Sequence, residues 1–226
     1  MITGTAGVSY YGSGTFVTNQ RSTYTGDTGL YVGSVIPQIG SLGTAGAPTS
    51  GPFGTGTLIL GGSSMRASTG GDVQLHNNVK FQADTTILNA TGARVLTFEG
   101  NVTLAEGTRT LTQQTSANTY FNGVISDGGQ GYGFTVAGSG TGQVVLAGNN
   151  TYTGPTSLTG NTNLLINGNQ TAATGAVTVS AGLLGGIGTL GGATTIASGG
   201  TLSPGDPATA AGIGRLNFAQ GLTLKV

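Results

Sequence analysis

The chain has 226 residues, 45 of them glycine, with 6% charged residues, no cysteine, no tryptophan and a formal net charge of zero. Ordinary domains use about 7% glycine and about 25% charged residues, so this composition is far from that of a common globular enzyme. Glycine without a period of three excludes collagen, ordered valine, leucine and isoleucine argue against disorder, and neutrality with only 7 Lys plus Arg removes the basic footprint of a nucleic-acid binder.

The opening Met1-Ile2-Thr3-Gly4 lacks the basic stretch and apolar core of a signal peptide. A partial repeat follows almost at once, and Gly221-Leu222-Thr223-Leu224-Lys225-Val226 stops in mid-strand. The expectation is an excerpt of a longer chain. Missing cysteines fit a cytosolic protein, and equally one that crosses a membrane unfolded. No run approaches the roughly 20 apolar residues of a membrane helix.

The first repeat unit, Gly14 to Gly26, reads GTFVTNQRSTYTG; Gly142 to Gly154 reads GQVVLAGNNTYTG, and each continues with any residue and then Thr. The repeated turns, Thr23-Tyr24-Thr25-Gly26 and Thr151-Tyr152-Thr153-Gly154, are the conspicuous self-similarity, the mark of a stacked repeat architecture. Between and after them, apolar residues recur at a spacing of two. Leu58/Leu60, Val73/Leu75, Val79/Phe81, Leu96/Phe98 and Val102/Leu104 show it first, then Phe134/Val136, Val144/Leu146, Leu164/Ile166, Val177/Val179, Leu216/Phe218 and Leu222/Leu224. Such pairs, bounded by Gly, Asn and Ser, predict short half-buried strands, with Thr97, Thr103, Thr178 and Thr223 facing outward.

Three segments share a tighter pattern of strand, three-residue corner and strand: Val73 to Phe81, Leu96 to Leu104 and Leu216 to Leu224. Corners of this type could close antiparallel hairpins. Strand shortness and the longer repeat favour a single solenoid over residues 1–226, with coils of about 20 to 25 residues stacked ~4.8 Å apart. Residues 1–50 read as irregular N-terminal coils, 51–123 as regular coils, and 124–226 as the region where the repeat is best kept.

Residues that could carry chemistry are few. His76, the single histidine, sits in a corner and reads as a polar corner residue. With no cysteine and one histidine, thiol catalysis and the usual zinc ligand sets are absent. The seven carboxylates, Asp27, Asp72, Asp84, Glu99, Glu106, Asp127 and Asp206, show no close pair of the kind glycoside hydrolysis needs. His76 and Glu99 hold the first corner position of successive coils and are the weak surface-binding candidates.

Gly128-Gly129-Gln130-Gly131-Tyr132-Gly133 is like a glycine-rich calcium loop, but Gly133 stands where the ligand Asp belongs, so a turn is expected. Gly138, Gly140 and Gly142 lack the following helix of a dinucleotide site. No cofactor is expected. Tyr24 and Tyr152 are expected to pack their corners rather than stack on sugars. Asn-x-Thr triplets such as Asn89-Ala90-Thr91 follow from composition.

The segment Gly142 to Leu190, through GNNTYTG, Asn167-Gly168 and AVTVSAGLLGGIGTLGG, resembles the autotransporter-associated β-strand repeat. Gly191 to Pro207, GGATTIASGGTLSPGDP, is similar to the segment that commonly follows it, and Ser50 to Ala67 resembles a more divergent copy. The resemblance implies an all-β, right-handed parallel β-helix in a passenger-type region displayed outside a bacterial cell. The function it implies is that of a non-catalytic, structural stalk or adhesin segment. Its partners would be neighbouring β-solenoid segments of the same protein or identical subunits, and surface glycans. The other readings are a self-assembling subunit of an extracellular fibre or sheath, and a carbohydrate-binding or carbohydrate-cleaving β-helix.

Overall fold

The computed structural model describes residues 1–66, 70–88, 94–206 and 212–225. The Asn89-Ala90-Thr91 triplet, Ala67, Pro207 and Val226 fall outside these. The described chain is all-β and folds as a parallel β-helix with three sides. One complete coil places Leu58–Leu60 on the first side, Ser64–Arg66 on the second and Val73–Leu75 on the third. The next repeats it with Val79–Phe81, Thr85–Leu88 and Leu96–Phe98. The first side is six strands deep, the third seven and the second ten. Ten strands at ~4.8 Å make a stack of about 45 Å.

Pairing between coils is parallel and in register, so like positions stack: Val79 lies between Leu58 and Val102, and Leu96 between Val73 and Thr119. This follows from the period-two pattern. Every other residue points inward, and stacking equivalent apolar residues lets each coil bury what it cannot bury alone. The middle of the core is aromatic. Phe98 and Phe121 stack at 5.0 Å, and Phe121 meets Phe134 edge-on at 5.8 Å. Outside, Thr103, Thr178 and Thr223 are exposed as alternation requires, whereas Thr97 on the third side is covered to 7% exposure.

Two departures break the regularity. Residues Leu42–Thr44 and Ala47–Ser50 form the one antiparallel strand pair among the described residues, a hairpin that lies against the corner of the following coil. There Gly46 N donates to His76 O at 2.7 Å, and Ser41 N to Gln74 O at 2.8 Å. The second break lies on the first side, which loses its strand after Ile125–Ser126. Asn150 takes over there, its buried Oδ1 accepting from Ile125 N at 2.8 Å. The side resumes as a three-stranded sheet of Asn169–Gln170, Thr189–Leu190 and Asn217–Phe218.

The third copy of the corner pattern is displaced relative to the other two. Val73 to Phe81 and Leu96 to Leu104 run from the third side to the first, but Leu216 to Leu224 runs from the first side to the second. Strand, corner and strand have the same local signature at each bend of the coil, so the pattern marks a bend without saying which.

Candidate functional site

The two Thr-Tyr-Thr-Gly turns share an internal bond. Tyr24 Oη lies 2.5 Å from Thr28 Oγ1, and Tyr152 Oη 2.6 Å from Thr156 Oγ1. Both rings are turned into the molecule, Tyr24 at 3% and Tyr152 at 0% exposure. A phenol and a hydroxyl four residues apart thus satisfy each other where water cannot reach. Burial raises the Tyr24 phenol above its ordinary value. It pushes Tyr152 up to about 12.

The copies nevertheless occupy different bends. Thr28 opens a first-side strand, whereas Thr156 opens a second-side strand. In each, the strand before the turn and the strand after it are separated by a side with no strand of its own. The motif therefore marks a skipped side, with an inward tyrosine filling the space.

Corner polar residues do a second job, absent from the sequence-based expectations. Asp27, Asp72, Asn78, Asp84, Asn101 and Asn118 each stand immediately before a strand. Each side-chain oxygen accepts the backbone N–H at the matching position one coil later. The partners are Thr57, Val95, Asn101, Thr110, Val124 and Gln143, at 2.9–3.0 Å. A row of Asp or Asn directly before an inward Val or Thr was the signal available for these staples.

Beside them runs a trough of glycines at the third-to-first bend. A Cβ on Gly123 would lie 2.1 Å from Gly100 O, one on Gly148 2.1 Å from Gly123 O, and one on Gly168 2.1 Å from Gly148 O. Glycine is required here because backbone rests directly on backbone.

The weak candidates are placed but not joined. Pairing of Leu75 with Phe98 sets His76 above Glu99, yet no hydrogen bond or ion pair links their side chains. Glu99 Oε2 instead accepts from Asn122 Nδ2 at 3.1 Å. The hairpin holds the His76 backbone, with His76 N donating to Ser41 Oγ at 3.2 Å, and Nδ1 is buried without a partner.

The other carboxylates are engaged as well. Glu106 accepts from Gln82 Nε2 at 2.7 Å, and Asp206 from Asn167 Nδ2 at 2.7 Å. Asp127, 2% exposed, organises the glycine-rich loop: its carboxylate accepts from Gly129 N, Tyr132 N and Thr153 Oγ1 at 2.8–3.0 Å. Burial pushes this carboxyl up, but those bonds outweigh it and hold it below the ordinary carboxylate value. Gly128, Gly129 and Gly131 have φ of 63°, 78° and 75°, the left-handed angles that wrap the loop around Asp127. Among the described residues, no three His, Asp or Glu side chains gather to hold a metal ion.

Exposed aromatic surface is dispersed. Tyr11 and Tyr31 stack at 4.7 Å near the N-terminal end, Tyr120 lies on the third side and Tyr132 in the Asp127 loop. The second side carries an uncharged outward row, one residue per coil: Thr110, Thr135, Ser157, Thr178, Thr195 and Thr223. No helix among the described residues is long and apolar enough to cross a membrane. No family model matches the chain, and neither curated proteins nor solved structures yield a match.

Proposed function

We propose that this chain is a structural, surface-exposed β-helical module of a secreted bacterial protein, similar to an autotransporter passenger stalk or adhesin segment, and that it carries no catalysis. One observation carries this reading. All seven carboxylates accept hydrogen bonds from the fold itself, three of them as staples between coils. Groups that an enzyme would aim at a substrate are here spent on holding one coil to the next. The outer surface supports the same role, because a row of uncharged hydroxyls presents no concentrated field to attract a charged substrate. Antibodies raised against the chain should label intact cells of its bacterium, and protease added outside should remove the label. Labelling only after lysis would overturn the surface assignment.

A self-assembling fibre or sheath subunit is the second reading, and the terminal coils favour it. Met1, Ile2 and Val17 at one end, and Leu222 and Leu224 at the other, are 39–79% exposed. The strands Val8–Tyr10, Thr15–Thr18 and Leu222–Leu224 each have one unpaired edge. Such edges can pair with those of an identical subunit, head to tail. Light scattering and electron microscopy across a concentration series separate the readings: filaments support assembly, and a persistent monomer opposes it.

A further inference from the structure

Three places in the chain put glycine directly after asparagine or aspartate: Asn122-Gly123, Asn167-Gly168 and Asp127-Gly128. In such pairs the glycine nitrogen can attack the preceding side-chain carbon, because no Cβ on the following residue obstructs the approach. We propose that Asn122 is a site of spontaneous deamidation in the folded protein, while Asn167 and Asp127 are protected by the coils stacked around them.

The two Asn-Gly corners are equivalent in the solenoid but differently bonded. At the protected corner, Asn167 Oδ1 accepts from Ile187 N at 3.3 Å and Nδ2 donates to Asp206 at 2.7 Å. Gly168 N, the nucleophile, is itself committed to Leu146 O at 3.1 Å. Reaction there breaks three hydrogen bonds. Asn122 is exposed and holds a single side-chain bond, Nδ2 to Glu99 Oε2 at 3.1 Å. Its backbone N takes Phe98 O at 2.9 Å, and Gly123 N makes no hydrogen bond. At the corresponding corners, Gly148 and Gly188 both donate to the preceding coil, at 3.3 and 2.8 Å. Gly123 is therefore the corner glycine beside an asparagine whose nitrogen stays free. Asp127 is closed off in another way, since N–H and hydroxyl donors keep its carboxylate charged and both of its oxygens engaged.

The chemistry balances with water as the only co-reactant. Hydroxide removes the Gly123 amide proton, and the nitrogen forms a bond to Asn122 Cγ. The Cγ–Nδ2 bond breaks and Nδ2 leaves as ammonia. Water then opens the five-membered imide at either carbonyl, giving an aspartyl or an isoaspartyl link. The product replaces an N–H donor with a carboxylate facing Glu99, and two like charges at that distance repel. A corner that was neutral apart from Glu99 becomes doubly acidic.

The test is peptide mapping by mass spectrometry during incubation of the purified chain at mildly alkaline pH, with a denatured sample alongside. Each conversion is read as a gain of about 1 Da, and isoaspartate is confirmed with an isoaspartyl methyltransferase. In the denatured chain both Asn-Gly pairs should convert together, because nothing distinguishes them. In the folded chain Asn122 should convert while Asn167 stays intact. Equal conversion of the two in the folded protein, or an unchanged Asn122 once the denatured sample has reacted, overturns the proposal. Asn122→Asp reads the consequence separately: it should lower the urea midpoint near neutral pH, and Glu99→Gln in the same chain should restore it. A midpoint that Glu99→Gln leaves depressed would refute the like-charge account.

Discussion

The turns around Tyr24 and Tyr152 have the same residues and the same hydroxyl-to-phenol bond, but they stand in different surroundings. Tyr152 lies deep in the stack at 0% exposure, with coils above and below. Tyr24 sits beside the N-terminal mouth, where Met1, Ile2, Phe16 and Pro52 line the same hollow of about 220 Å³. Thr28, its partner, also donates to Phe53 O at 2.9 Å, so the Tyr24 hydroxyl must be the donor in the pair. No second acceptor stands behind Thr156. A motif in a solenoid therefore fixes its own local bond, while neighbouring coils decide how much depends on it.

Removing the rings probes that difference most strongly. Tyr152→Ala should cost about 3–5 kcal/mol, the range for emptying a buried aromatic site, since stacked coils on both sides cannot collapse into the gap. Tyr24→Ala should cost clearly less, because the terminal residues around it can close in. Urea unfolding of the two variants checks this, and equal losses would mean that the N-terminal mouth is as rigid as the interior.

The glycines that end the two turns offer a second comparison. A Cβ on Gly154 would come within 2.3 Å of Tyr132 C and 2.4 Å of Gly131 O, and one on Gly26 within 2.3 Å of Gly7 N. Overpacking of this kind costs about 1–3 kcal/mol. Gly154→Ala should fall near the upper end and Gly26→Ala near the lower, since the stretch through Ala6 and Gly7 is exposed and can shift toward solvent. Thermal unfolding gives the order, and a larger loss at Gly26 would reverse the interpretation.

Removing only the hydroxyl sharpens the contrast. Tyr152→Phe leaves Thr156 Oγ1 buried without its partner and should cost about 1–3 kcal/mol. Tyr24→Phe leaves Thr28 still bonded to Phe53 O, so a loss of about 0.5–1.5 kcal/mol is expected. If the double changes Tyr152→Phe with Thr156→Val and Tyr24→Phe with Thr28→Val reverse this order, the second acceptor at Phe53 carries more of the N-terminal turn than the phenol does.

Much of this architecture is legible in the chain, and the illegible part has a common cause. Val79/Phe81 and Val102/Leu104 announce strands because alternation is a local property, and their matched corners foretell that they stack. Which side of the coil a strand joins is a sum over every preceding bend. That is why two identical Tyr turns, and the Leu216 to Leu224 pattern, land one side away from where simple superposition puts them. The hairpin at Leu42–Ser50 was hidden in a Gly-, Pro- and Thr-rich stretch that lacks a clean alternation. The Asp and Asn staples were visible as residue types, but their acceptor role needs the coil above, 23 residues away for Asn78 and Asn101. Composition disclosed the abundance of glycine; only stacking shows that Gly123 and Gly148 are needed for contact.

Alkali provides the gentlest separation of the two turns. A tyrosine whose folded value is raised binds its proton more tightly in the native than in the unfolded chain, so stability falls wherever the unfolded phenol has ionised and the native one has not. For Tyr152 that window opens at the ordinary value of 10.0 and closes at about 12. Its contribution is fully present below the window and is lost as pH rises through it. Tyr24 is raised in the same sense by its burial, but it stands next to a mouth that hydroxide can reach. Urea midpoints measured upward from pH 10 should decline in the parent chain and decline less in Tyr152→Phe, whereas Tyr24→Phe should stay closer to the parent. A parent chain whose midpoint is flat across this window would show that both phenols ionise in place, and that neither ring is sealed as its bond to threonine requires.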